Sequence, residues 1–234
     1  MRSKLEQDVI GIKSPLVWVP IVYIMLLLLS IWISDPEEPK HITVYNETAL
    51  LPMIPMLCAL LLQREIGGGA MEMLAAYPVS LGGMALRKWV LTLAAAAMLQ
   101  AAVMSAYGLH FGGRQTVLYS YAGLPPVKAE AGIGQLLLQA LPAYAALASI
   151  CMFVMLLTKK TYGGLIAAYA VWMAEMLSGG ELLSGAVLIT GHIPKEISFV
   201  QNRLILTAAA AALLLASCLA AERRSRWIIA EDTE

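Results

Sequence analysis

One polar interruption between two apolar stretches carries a helical pattern and charged residues of its own. The run 63–88, QREIGGGAMEMLAAYPVSLGGMALRK, holds Arg64, Glu65, Glu72, Arg87 and Lys88. Glu65 and Glu72 are seven residues apart, a spacing that places two carboxylates on one helical face. Carboxylates presented in that way can pair with basic groups on a partner. Ile66, Ala70, Met73 and Tyr77 recur at steps of four, three and four and form a separate apolar stripe. Pro78 ends the pattern, because a residue before proline is pushed out of the α region. Ser80, Gly82 and Gly83 follow as a turn, and Arg87 and Lys88 stand at the mouth of the next apolar span. The expectation is a short amphipathic helix along a membrane face, with both carboxylates on one side. A further acid, Glu175, lies well inside an apolar stretch with Trp172 on its helical face. A carboxylate at membrane depth is costly and faces a cavity or a partner. Lys195, His192 and Arg203 are the basic partners within reach in sequence, and pairing with them would tie an outer segment to the bundle.

Other chemistry is mostly absent. There is no G-x-x-x-x-G-K-[ST] phosphate loop, no H-E-x-x-H, no G-x-S-x-G and no Cys/His cluster. His41, His110 and His192 are scattered, and no metal set is expected from them. Ser184 and His192 suggest an intramembrane nucleophile and base, but nothing nearby completes a catalytic set. Cys58, Cys151 and Cys218 fall in apolar runs and read as small buried hydrophobes.

The elements that must position these residues are membrane helices. The chain of 234 residues is 59% hydrophobic and 14% charged. That is more apolar than a soluble domain of this length requires. The formal net charge of zero gives no basis for nucleic-acid binding. We therefore expect an all-α integral membrane protein, one transmembrane domain over 1–234, with six transmembrane helices at about 16–33, 49–62, 89–110, 135–158, 161–178 and 204–221. The second span is short and carries Pro52 and Pro55. Residues 1–14 read as an N-terminal interfacial helix, with Leu5, Val9 and Ile12 on one stripe. Alanine runs at 94–97 and 208–212 suit close helix packing. The stretch 111–134 reads as irregular loop. The mainly apolar piece 182–190 is nine residues long, too short to span, and reads as a partly inserted outer segment before the last span.

Basic residues orient the set. With the N-terminus inside, the inner segments hold Arg2, Lys4, Lys13, Arg64, Arg87, Lys88, Lys159, Lys160, Arg223, Arg224 and Arg226; the outer ones hold Lys40, Arg114, Lys128, Lys195 and Arg203. The bias predicts that both termini and the 63–88 segment are in the cytoplasm of a multi-pass cell-membrane protein. The first outer loop is acidic through Asp35, Glu37, Glu38 and Glu47, and Asn46-Glu47-Thr48 matches a glycosylation sequon, a three-residue pattern so frequent by chance that it carries no weight.

Arg64-Glu65, Gly69, Glu72, Leu74, Pro78, Ser80 and Lys88 together resemble the ABC-2-type permeases, membrane subunits of one class of ATP-binding-cassette exporters. In that family an R/E-x-x-x-G-x-x-E-x-L-x-x-x-P-x-S stretch follows the second span and a basic residue opens the third. The chain departs from the family in its long 111–134 loop and in the run Gly67-Gly68-Gly69, which weakens a helix by about 1 kcal/mol per glycine. The resemblance implies a half-transporter. Two such subunits, identical or different, enclose a pathway, and separate cytoplasmic ATPases bind beneath. Arg64, Glu65, Gly69, Glu72, Met73, Leu74, Pro78, Ser80 and Lys88 would form a cytoplasmic coupling helix in a cleft of the ATPase. No cofactor is expected on this chain; ATP and Mg belong to the partner, and the chain itself is not an enzyme. Under this reading Trp172 and Glu175 have a second expectation, to face the dimer axis and touch the passing substrate. A haem-export subunit of cytochrome c maturation shares the architecture, and a motor-less immunity or structural protein is the competing class. The substrate is not legible.

Overall fold

The computed structural model describes residues 17–38 and 41–227; the expected interfacial helix 1–14 lies outside them. The described chain is predominantly α-helical, and its long helices alternate in direction between two ends. Helix α1 spans Trp18–Ile33. A π-helical turn, Val44–Thr48, leads into α2, Met53–Ile66. A short helix, α3, covers Ala70–Ala76, and α4 runs from Leu81 to Phe111. Strands β1, Gln115–Leu118, and β2, Val127–Glu130, pair antiparallel with Gln115 opposite Glu130 and Leu118 opposite Val127. Helices α5, Ile133–Thr158, and α6, Thr161–Ser178, form a tight pair, and α7 spans Phe199–Glu222.

Among the described residues, four stretches are long and apolar enough to cross a membrane: Val44–Ile66, Leu81–Phe111, Ile133–Thr158 and Phe199–Glu222. The expected first and fifth spans are shorter helices, of 16 and 18 residues. The expected second span is longer than 49–62 at both ends. Pro52 caps α2 and Pro55 sits in its first turn, where a missing N–H costs nothing. Helix α4 starts at Leu81, well before 89, because the Ser80 hydroxyl caps it by accepting from the Gly83 N–H at 3.0 Å. The glycines expected to form a turn are inside this helix. At the other end Gly112 takes a left-handed φ of 71° and stops it. The stretch 111–134 is not wholly irregular, since β1 and β2 form a hairpin within it.

Helices α5 and α2 make the two largest contributions to the core, with α7 packed extensively along α5. Leu57, Cys58 and Leu62 of α2 are buried, as are Leu147, Cys151 and Met155 of α5. By contrast Trp18, Val22, Met25, Leu29 and Trp32 of α1 are exposed, an apolar face that suits lipid. Helices α5 and α6 approach closely at Gly164. A Cβ there would come 2.3 Å from the Cys151 carbonyl oxygen and 2.3 Å from Met155 Cγ. The carbonyl belongs to rigid helix backbone, so Gly164→Ala should push α6 off α5 and lower stability by about 1–3 kcal/mol. A thermal melt of the purified chain checks this; an unshifted midpoint would show that the two helices are not in contact.

Candidate functional site

The 63–88 segment folds as three pieces rather than one amphipathic helix. Helix α2 continues to Ile66, and residues 67–69 break it. Helix α3 starts after Gly69, whose φ of 69° favours glycine. The break resets the helical phase. Met71 and Ala75 point inward, whereas Met73 and Tyr77 are 64% and 58% exposed, so the predicted stripe 66-70-73-77 does not hold. Glu72 is exposed beside Met73, and Arg64 is exposed at the end of α2. Leu74 is half-buried against the core.

Glu65 does not share that exposed face. It is buried, and its Oε2 lies 2.6 Å from Lys88 Nζ, with Lys88 only 1% exposed. Lys88 Nζ also donates to the Leu61 carbonyl. The Glu65–Lys88 contact is ionic rather than a well-aligned hydrogen bond. Lys88 therefore does not open a span at the surface; it sits two turns inside α4 and locks that helix to α2.

The corner from Ala75 to Gly82 is braced by the end of α7. Ser80 Oγ donates to Glu222 Oε1 at 2.8 Å, and the Gly82 N–H donates to the same oxygen at 2.9 Å. Arg224, in a 3₁₀ turn just past α7, donates to the carbonyls of Ala75, Tyr77 and Val79 at 3.1, 2.7 and 2.9 Å. Pro78, central to the corner, removes one N–H and keeps Tyr77 extended, which aims these carbonyls at the guanidinium. The result is a firmly held corner whose tip carries Glu72, Met73, Tyr77 and Val79 in the open.

At the opposite end is a buried polar cluster. Glu175 is fully buried, and its two oxygens accept the backbone N–H groups of Leu188 and Ile189, each at 2.7 Å. His192 Nδ1 stands 3.6 Å from Glu175 Oε1. Glu47 accepts the Thr190 N–H at 2.7 Å and the Thr190 hydroxyl at 2.9 Å. From α7, Asn202 Nδ2 donates to the Gly185 and Val187 carbonyls and Arg203 Nη1 to that of Leu188. Segment 185–190 is thus held almost wholly through its backbone by four side chains from three elements. Trp172 is half-buried near the end of α6, with an indole N–H that finds no hydrogen-bond partner among the described residues.

Sequence reasoning missed Glu47, Asn202, Arg224 and Glu222 as anchoring groups. The signal for Asn202 and Arg203 was there, as two polar residues in the first turn of the last apolar stretch. Asn46, the sequon residue, is buried; its side chain accepts from Gln100 and its carbonyl from Tyr144. Among the described residues no group of three or more His, Cys, Asp or Glu side chains could hold a metal ion. Compared with known proteins, the chain matches no family model, no curated protein and no solved structure.

Proposed function

We propose that this chain is the permease subunit of an ABC-type exporter, working as half of a dimer around a pathway and driven by a separate cytoplasmic ATPase. In this reading α1 and α6 join the four longer helices as spans, giving six, with both termini inside. The ATPase docks on the corner, and ATP and Mg stay in that partner. The observation that carries the reading is the exposed tip of Glu72, Met73 and Tyr77 on a corner braced by Arg224, Glu222 and the Glu65–Lys88 pair. A mechanical input needs an accessible contact on a support that does not yield, and apolar side chains beside a carboxylate are the groups a basic-rimmed cleft would take. Glu65 and Lys88 then serve as bracing, and Arg64, Gly69, Leu74, Pro78 and Ser80 shape the corner around the contact residues.

The decisive experiment is purification of the chain from its native membranes. A P-loop ATPase should co-purify in stoichiometric amount, and Glu72→Arg should weaken that association about tenfold or more through like-charge repulsion while leaving the chain in the membrane. Absence of any P-loop ATPase from the wild-type preparation sinks the proposal. The orientation is checked separately, in a background lacking Cys58, Cys151 and Cys218. Glu37→Cys, Lys128→Cys and Lys195→Cys should react with an impermeant thiol reagent from outside, and Ser80→Cys and Ser225→Cys should not. Labelling at position 80 from outside would place the corner on the wrong side for any cytoplasmic motor.

A further inference from the structure

We infer that α7 is a rigid strut that couples the corner at one end of the bundle to the backbone-held segment 185–190 at the other. The strut is the route by which a push on the corner travels, and it takes only its purpose from the proposed function.

Three observations carry it. First, α7 is built to stay straight. It is 24 residues long, contains neither glycine nor proline and is rich in alanine and leucine. Helices α1, α2, α4, α5 and α6, by contrast, each contain one or both of these breakers. A helix of this length reaches about 36 Å, enough to join the two ends without an intermediate. Second, each end of α7 grips backbone. Glu222 and Arg224 hold the corner through the Gly82 N–H, the Ser80 hydroxyl and three carbonyls. Asn202 and Arg203 hold the carbonyls of Gly185, Val187 and Leu188. Third, the turn carrying Arg224 is fixed to the helix: buried Trp227 donates its indole N–H to the Ala221 carbonyl at 3.1 Å. Gly82 also lies so close to α7 that a Cβ would come 3.1 Å from the Cys218 carbonyl, leaving little slack between corner and helix.

A displaced corner therefore has to carry α7 with it or break its hydrogen bonds, and displaced α7 strains the bonds that Asn202 and Arg203 make to segment 185–190. Coupling of this kind is reciprocal. Backbone hydrogen–deuterium exchange of the full chain in lipid nanodiscs reads it without any ATPase. Arg224→Ala should speed exchange at 75–82 and also at 185–192, each by about threefold to tenfold, the scale of one or two lost hydrogen bonds. Arg224→Lys keeps the charge but cannot span three carbonyls, so it should give a smaller change at the same two places. In the reverse direction Asn202→Leu should speed exchange at 75–82. Acceleration at the mutated end alone, or equal acceleration throughout α5, overturns the strut. The ATPase reading can fail while this result stands, and the strut can fail while an ATPase still binds.

Discussion

Lys88→Met is expected to be among the most damaging single substitutions in this chain. It removes the cation beside buried Glu65 and leaves a carboxylate in a site that is almost closed to solvent. Breaking a buried ion pair from one side typically costs about 3–5 kcal/mol. Much of that loss is the uncompensated charge rather than the attraction itself, so neutralising both partners tells the two apart. The double variant Glu65→Leu, Lys88→Met should recover most of the lost stability, because a buried pair replaced by apolar side chains of similar volume is often no worse than the original. Thermal melts of the wild type, both single variants and the double variant close the cycle. If Lys88→Met melts with the wild type, Lys88 is not buried against Glu65. If the double variant is as poor as the worse single one, the pair's worth lies in its specific geometry, including the bond from Lys88 to the Leu61 carbonyl.

This pair separates what local sequence carries from what it does not. Helix α6 is legible to the residue at both ends, because Lys159-Lys160 before it and Gly179-Gly180 after it are local punctuation. The expected second span stops short of the end of α2 because Arg64 and Glu65 look like the polar rim of a span. Glu65 is tolerated there because Lys88, on the next long helix, meets it, and periodicity within a window cannot report such a partner. Glu47 reads as one more acid in an acidic loop for the same reason: the N–H and hydroxyl that satisfy it belong to Thr190. The stripe through Met73 and Tyr77 fails on a local ground. A helical phase cannot be carried across residues 67–69 when Gly69 adopts a left-handed φ. The hairpin is hidden by Pro125 and Pro126, which are compatible with a connection between short strands though not with the strands themselves.

Glu175→Gln should loosen the far end of the bundle and lower its stability by about 2–4 kcal/mol, roughly 4–16 °C in melting midpoint on the scaling for chains of this size. At sequence level the substitution preserves size and hydrogen bonding, but the geometry shows that it does not. Each carboxylate oxygen accepts one backbone N–H, from Leu188 and from Ile189. A glutamine has one oxygen, so its amide NH₂ must face an N–H that is also a donor, in a site with no solvent to take up either. One buried donor is left unpaired and one charge-assisted bond becomes neutral. His192 also loses the carboxylate 3.6 Å from its Nδ1. Exchange at the amides of Leu188 and Ile189 should rise with the fall in midpoint. If the proposed transport function holds, a structural anchor predicts these losses with the relative transport of charged and neutral substrates unchanged. A pathway role for Glu175 with Trp172 predicts the opposite: a normal midpoint and a shift in that preference. The chosen substitution therefore moves a different readout in each case. An unchanged midpoint together with unchanged exchange would rule out Glu175 as the anchor of segment 185–190.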